Sequence, residues 1–256
     1  MQHLSSDDYP YRNVKITIMY DGRTFHGWQV QKNAVSVQET FQNSLSRIIG
    51  DDIDIKGCSR TDTGVHANMY CIGLKTNHPI PCERLKAALN NYLPETISVT
   101  ACEDMPLGFH PRYDCKRKQY IYKIWNNEVR NPFLNGYALH YRYRDFDETV
   151  LNKAASHYLG THDFTSFCTL DNRRPGDMRR TVYLSTVERE GDMVTFTVEA
   201  NGFLYDMVRI MTGTLLRVAQ GKLSADDIPG IIEKKDRQYA GPTAPACGLY
   251  LNKVIY

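Results

Sequence analysis

The chain has 256 residues and no run of about 18 apolar ones, the length a helix needs to cross a bilayer, so no membrane-spanning protein is expected. Its first residues, MQHLSSDDYPYRN, lack the basic-then-apolar order of a secretory signal, and the expectation is a cytoplasmic protein with no membrane partner. Cysteines are few, odd in number and scattered: seven, at 58, 71, 82, 102, 115, 168 and 247, with no C-x-x-C pair. That argues against a disulfide framework and a thiolate zinc site, and for reduced thiols. Low-complexity stretches are missing too, and 42% hydrophobic with 23% charged residues excludes disorder and fibrous folds. Strong net charge is also absent, since 31 Lys and Arg against 29 Asp and Glu leave only +2. Its distribution is uneven: residues 1–110 hold 10 basic and 12 acidic side chains, and the remainder 21 and 17. Within 112–144, eight basic residues stand against Asp114 and Glu128, a local surplus suited to phosphates.

What the sequence does contain is one order of elements, twice. Residues 14–20 alternate as a strand, and Ser36 opens a helix running to Ile49, with Ser36 and Glu39 at capping-box spacing and Gly50 past its end. Strands are expected over 53–59 and 69–75, a helix over 82–93 stopped by Pro94, and a strand over 97–102. The second half offers a strand over 119–125, a helix over 147–159 and a hairpin of 181–188 with 193–199 around Glu190-Gly191-Asp192. A helix over 203–219, a short one over 226–234 and a closing strand over 248–254 follow. Two β-α-β-β-α-β orders predict an α+β fold of two consecutive ferredoxin-like (split β-α-β, RRM-like) modules, 1–108 and 109–256. Their antiparallel sheets are expected to pack together around a central cleft, each with helices on one face and the other face open.

The connection Gly57-Cys58-Ser59-Arg60-Thr61-Asp62-Thr63-Gly64-Val65-His66-Ala67 is longer than a hairpin needs. Asp62 and Gly64 are turn formers, and Thr61 and Thr63 can satisfy backbone groups. The same residues place Arg60 two positions before Asp62, a cation that can keep a partly buried carboxylate ionised, and an ionised Asp in a cleft can act as base or nucleophile. The residue types alone leave both readings open.

This run closely resembles the G-R-T-D-A-G-V-H-A signature of the tRNA pseudouridine synthase A (TruA) family. The resemblance continues along the chain through Tyr20-Asp21-Gly22, Gly27-Trp28-Gln29, Ser36-Val37-Gln38-Glu39, Phe109-His110 with Arg112, and Tyr120. It extends through Phe164-Thr165-Ser166-Phe167, Ala200-Asn201-Gly202-Phe203 with Met207-Val208-Arg209, and Gly248-Leu249-Tyr250-Leu251. It implies an isomerase that converts uridine to pseudouridine at positions 38, 39 and 40 of the tRNA anticodon stem-loop, with no metal or organic cofactor and generally as a homodimer. Asp62 matches the family's catalytic aspartate, Arg60 stands in the same signature, Arg209 matches an arginine expected to pair with that aspartate, and Tyr120 matches the tyrosine that meets the uridine. A carboxylate suits this reaction because breaking the N1–C1′ bond builds positive character on the sugar. Whether it attacks C1′, attacks C6 or assists elimination stays open at this stage.

Extracting a stacked uridine needs compensating contacts to the rest of the RNA. Arg112, Lys116, Arg117, Lys118 and Lys123, and later Arg173, Arg174, Arg179 and Arg180, are the basic candidates, with 171–177 reading as a loop suited to closing over RNA. His66 reads as a strand-end packing residue rather than a base, and His26 faces either RNA or core. The chain departs from the family pattern at Ser59, at Thr63 where Ala is usual, and in the run CTLDNRRPGDMRR, which keeps a paralogue of narrower specificity in view. A non-catalytic protein of two RRM-like modules is the competing class, but no RNP1-like run is present. A retaining glycosidase needs a second carboxylate that the signature does not supply.

Overall fold

Val14, Ile16, Ile18 and Tyr20 form one buried row, and the alternation that the sequence shows becomes β1 (Arg12–Tyr20). The structure, a computed structural model, describes residues 10–50, 53–143, 146–169 and 176–256. They fall into two units divided between Lys116 and Arg117, with Leu251–Tyr256 returning to the first. Each unit combines helices with mainly antiparallel strands, so the fold is α+β.

In the first unit β1 leads to α1 (Val37–Ile49), where the Ser36 side chain accepts from the Glu39 amide and Val37, Phe41 and Leu45 are buried. Then come β2 (Asp54–Gly57), β3 (His66–Thr76), α2 (Cys82–Tyr92) and β4 (Ile97–Met105). The strand order is β4-β1-β3, with β2 on β3, every pair antiparallel. β3 starts at His66, three residues before the alternation in the sequence, because Tyr20 pairs with Ala67 at the end of β1.

The sheet face opposite the Val14 row is expected to be open, yet in this unit it is covered. Asn13 and Thr17 on that face are buried. The Asn13 amide donates to the carbonyls of Phe109 at 2.8 Å, Pro106 at 3.2 Å and Leu107 at 3.3 Å. The Tyr256 hydroxyl donates to the Pro111 carbonyl at 2.9 Å, and its ring meets Phe109 edge-on at 5.0 Å. Phe109 and Pro111 are buried against this part of the face, and Asn13 satisfies the buried Phe109 carbonyl there. That packing is why the unit runs on to Lys116.

The second unit contains β5 (Arg117–Trp125), β6 (Leu139–His140), α3 (Glu148–Ser156), β7 (Gly160–Asp163), β8 (Arg179–Glu190), β9 (Met193–Ala200), α4 (Met207–Ala219) and α5 (Ile228–Lys234). Strand order is β5-β9-β8-β7, with β6 parallel to the end of β5. Tyr120, Tyr122, Ile124, Val194, Phe196 and Val198 make the buried row, whereas Ile121, Lys123, Trp125, Thr195 and Thr197 on the other face are only half-buried. The last strand, β10 (Leu249–Ile255), starts in the second unit and ends in the first, beside β3.

Three elements differ from the sequence reading, the first being β6, a two-residue strand on β5 that it does not contain. β7 was not expected; Gly160, at φ 101°, turns the chain after α3 so that four polar residues can pair with the start of β8. The helix expected from 203 begins only at Met207, after a turn that ends at Asp206 with φ 60°. All seven cysteines are thiols outside any disulfide, and burial pushes those of Cys71, Cys102 and Cys168 up. No helix among the described residues is long and apolar enough to cross a membrane.

Asn13→Ala removes the donor shared by three carbonyls, of which that of Phe109 is buried, and is expected to lower stability by about 1–3 kcal/mol. Urea unfolding would show this as a lower midpoint with an unchanged slope.

Candidate active site

Between β2 and β3 the chain from Cys58 to Val65 has no regular ladder, so its shape depends on side chains from elsewhere. Thr61 is the main anchor. Its carbonyl accepts the Trp28 amide at 3.1 Å, and its hydroxyl meets the Tyr20 hydroxyl at 2.8 Å. Trp28 stacks on Tyr70 with ring centroids 4.2 Å apart, and the Tyr70 hydroxyl donates to the Ser59 carbonyl. Gly27 makes the approach feasible: its φ is +81°, and a Cβ there would lie 2.3 Å from the Thr61 carbonyl oxygen. After Thr61 the chain turns, with the Val65 amide donating to the Asp62 carbonyl at 3.1 Å.

These contacts fix the backbone on both sides of Asp62, which is half-buried, while Arg60 and Thr63 are exposed. His66 is buried and its Nδ1 accepts the Gly22 amide at 3.1 Å. The same nitrogen lies 3.4 Å from Asp21, and the buried ring packs at the strand start, where its position in the sequence puts it. Asp21 is instead held by the Arg23 guanidinium at 2.7 and 2.9 Å.

In the second unit Tyr120 sits near the start of β5, buried, with Phe203 edge-on at 5.0 Å. Its row-mate Tyr122 donates to the Pro245 carbonyl at 2.7 Å, and burial raises its pKa. Arg209 lies in the first turn of α4. Its Nε donates to the Ala244 carbonyl at 2.8 Å and its Nη1 to Asp206 Oδ1 at 2.7 Å. The 240–245 segment that supplies Ala244 is pressed onto α4: a Cβ on Gly213 would fall 1.7 Å from the Pro242 carbonyl oxygen, and the Gly241 amide donates to Thr214 Oγ1 at 2.8 Å.

Sheet register decides which basic candidates come together. Lys118 is opposite Ala200, and Ala200 opposite Val182, so the starts of β5 and β8 share one end of the second unit's sheet. Arg117, Lys118, Arg179 and Arg180 therefore gather there. Arg117 pairs with Glu199 at 3.2 Å and lies over the Tyr183 ring at 4.2 Å, and Arg180 folds back onto the carbonyls of Asp177 and Arg179. Arg179 is exposed. Arg112 and Lys116 are exposed in the first unit, and Arg112 lies 5.9 Å from the Tyr113 ring. Arg173, Arg174 and most of 171–177 lie outside the described residues. No group of three His, Cys, Asp or Glu side chains among the described residues is placed to hold a metal. Sequence reasoning missed Asp206 and Ala244, which bond the Arg209 guanidinium, and Thr169, whose hydroxyl donates to Asp206.

A family model described as tRNA pseudouridine synthase matches residues 16–114 and 154–256, on both sides of the division between the units. The chain belongs to the tRNA pseudouridine synthase family. It is 46% identical over 245 residues to tRNA pseudouridine synthase A of Thermoanaerobacter sp. (strain X514), covering 96% of this chain and 100% of that one. The proteins of the same name from Brevibacillus brevis and Ruminiclostridium cellulolyticum are 42% and 41% identical with the same coverage. As a pseudouridine synthase the protein is an isomerase, and its matched stretches include Asp62, Arg60 and Arg209 but stop short of Tyr120.

Tyr20→Phe keeps the ring but removes the hydroxyl on Thr61. It is expected to lower the turnover of pseudouridine formation about tenfold through a loosened Asp62 loop, while the melting temperature falls by only about 2–4 °C. Gly213→Ala forces the 240–245 segment off α4 and is expected to cost about 1–3 kcal/mol in urea unfolding.

Proposed function

We propose that the enzyme isomerises uridine to pseudouridine at positions 38, 39 and 40 of the tRNA anticodon stem-loop, with Asp62 as the nucleophile and no cofactor. The observation that carries this reading is Asp62 itself. In a chain of this family, it is the half-buried carboxylate of a loop whose neighbouring residues are tied down by Tyr20, Trp28 and Tyr70. The relatives are named for tRNA, and the exposed Arg112, Lys116 and Arg179 offer phosphate partners.

The chemistry needs no atom from outside the substrate. The N1–C1′ bond breaks, the uracil turns while held, and C5 joins C1′; the C5 proton is then lost and N1 gains one. An anion close to C1′ stabilises the cationic sugar and can trap it. A carboxylate held by its backbone neighbours keeps its position while the base rotates, which is the value of a fixed loop. Tyr120 presents a flat apolar ring with a polar tip, suited to an unstacked pyrimidine, and Arg60 and Arg209 are assigned to the same reaction as its cations.

The antiparallel order β4-β1-β3 with β2 on β3 supports reading the first unit as a ferredoxin-like module, and the hairpin and helix order of the second supports the same. A homodimer acting in the cytoplasm completes the proposal, carried by the family resemblance.

The test is a cofactor-free incubation with unmodified tRNA transcripts, mapping pseudouridine by carbodiimide-dependent primer-extension stops. Stops in the anticodon stem-loop with the parent protein, and none with Asp62→Ala, are the expected result. Stops elsewhere would overturn the positional assignment, and undiminished stops with Asp62→Ala would overturn the nucleophile.

A further inference from the structure

We propose that Asp206 is a positioning residue of the reaction, fixing the guanidinium of Arg209 and tying it to Thr169; this rests on the reading of Arg209 as part of the pseudouridine-forming machinery. Three observations converge on it. An aspartate at the start of a helix ordinarily sits in extended backbone and accepts from the amides of the first turn. Asp206 does neither: its φ is 60° and ψ 3°, in the left-handed region, and its side chain caps no amide of α4. It is one of only two non-glycine residues with positive φ among those described, and backbone strain of this kind persists where something else requires it.

The requirement is visible in where the carboxylate goes. Oδ1 accepts from Arg209 Nη1 at 2.7 Å, and Oδ2 accepts from the Thr169 hydroxyl at 2.9 Å. The Asp206 and Arg209 side chains are only 10% and 19% exposed, so the pair is far better shielded than an ordinary helix-surface pair of the same spacing. The Thr169 amide also donates to the Tyr205 carbonyl at 3.2 Å, fastening the strut to the turn that carries Asp206.

With Nη1 on Asp206 and Nε on the Ala244 carbonyl, two directions of a rigid planar fork are set, which fixes the third. The Ala244 amide returns a hydrogen bond to the Arg209 carbonyl at 3.1 Å, so that acceptor does not drift. A lysine in place of Arg209 could not be oriented this way, because an ammonium has no plane to lock. Asp206 acts on the reaction through Arg209.

The decisive variant is Asp206→Gly, because glycine takes the left-handed backbone without strain and removes only the carboxylate. The melting temperature should fall by no more than about 4 °C, because relief of the left-handed strain offsets part of the lost ion pair. The single-turnover rate on tRNA transcripts should fall about 100-fold, the scale of a small misplacement of a reacting group, with transcript affinity changed less than about threefold, a fraction of the tenfold that 1.4 kcal/mol represents. Asp206→Asn, which tolerates the same backbone and keeps an acceptor, should restore part of the rate. In an Arg209→Ala background Asp206→Gly should cause no further loss.

A parent-like rate in Asp206→Gly, a loss confined to affinity, a fall in melting temperature beyond about 4 °C that accounts for the loss, or an equal loss in the Arg209→Ala background would each overturn the proposal. One readout needs no turnover: the Arg209 side-chain N–H protons, followed by nitrogen-15 NMR, should exchange with water faster in Asp206→Gly, and unchanged exchange would also overturn it. If the parent protein forms no pseudouridine, the proposed function falls, while faster exchange would still support the strut.

Discussion

Everything proposed for the first unit depends on how Thr61 is held. Asp62, the proposed nucleophile, stands in an eight-residue stretch, Cys58 to Val65, that regular pairing does not support, so its position must be imposed by contacts at either side. Thr61 provides two, a carbonyl for the Trp28 amide and a hydroxyl for Tyr20. Trp28 is itself set by its stack on Tyr70, and Tyr70 reaches the Ser59 carbonyl on the other side of Arg60. The loop is thus closed through aromatic side chains that carry polar tips, a use for which tyrosine and tryptophan suit buried positions better than phenylalanine. Isolated hydrogen bonds of this kind are worth about 1 kcal/mol each. Their value here lies in geometry, since several of them converge on adjacent residues.

The second unit solves the corresponding problem with a helix. Arg209 starts from a rigid element, α4, and needs only its side chain restrained. The restraint comes from the 240–245 segment, which Gly213 admits to within backbone contact of the helix and which Arg237 braces through the Gly241 carbonyl at 2.8 Å and Thr243 at 3.3 Å. Helical placement with one side-chain lock and loop placement with several backbone locks are two routes to the same end, and the second demands more of the sequence. That is consistent with the motif stretches of the first unit: Tyr20-Asp21-Gly22, Gly27-Trp28 and the run around Asp62 are separated in the chain and converge on this one loop.

The sequence made the strands and helices with clean periodicity readable, and β1, α1, α2, β9 and α5 lie within a few residues of where alternation and capping put them. Asp62 was legible because a motif surrounds it. The covering of Asn13 on the first sheet face was not, because the sequence shows no period over 106–114 and places the division between modules at 108 and 109, and only in three dimensions do Phe109, Pro111 and the distant Tyr256 meet. β7 was hidden for a related reason: Gly160-Thr161-His162-Asp163 is too short and polar to show a period, and it forms a strand because β8 offers it an edge. The late start of α4 follows from the turn at Asp206, which hydrophobic spacing alone does not register.

Asp206 also shows why residue type and burial are insufficient to find a nucleophile. Asp62 and Asp206 are both shielded carboxylates beside residues the family motifs pick out, and both precede an apolar element. In Asp206, one oxygen is committed to a guanidinium at 2.7 Å and the other to a hydroxyl at 2.9 Å. Electron density shared in that way is withdrawn from attack on carbon, and releasing it would strand Arg209 in a poorly solvated place. A carboxylate so bound can orient a neighbour but cannot follow a sugar carbon through a transition state. The support at Asp206 therefore marks it as an orienting group: both of its oxygens are spent on neighbours, and what it delivers is the direction of the Arg209 guanidinium.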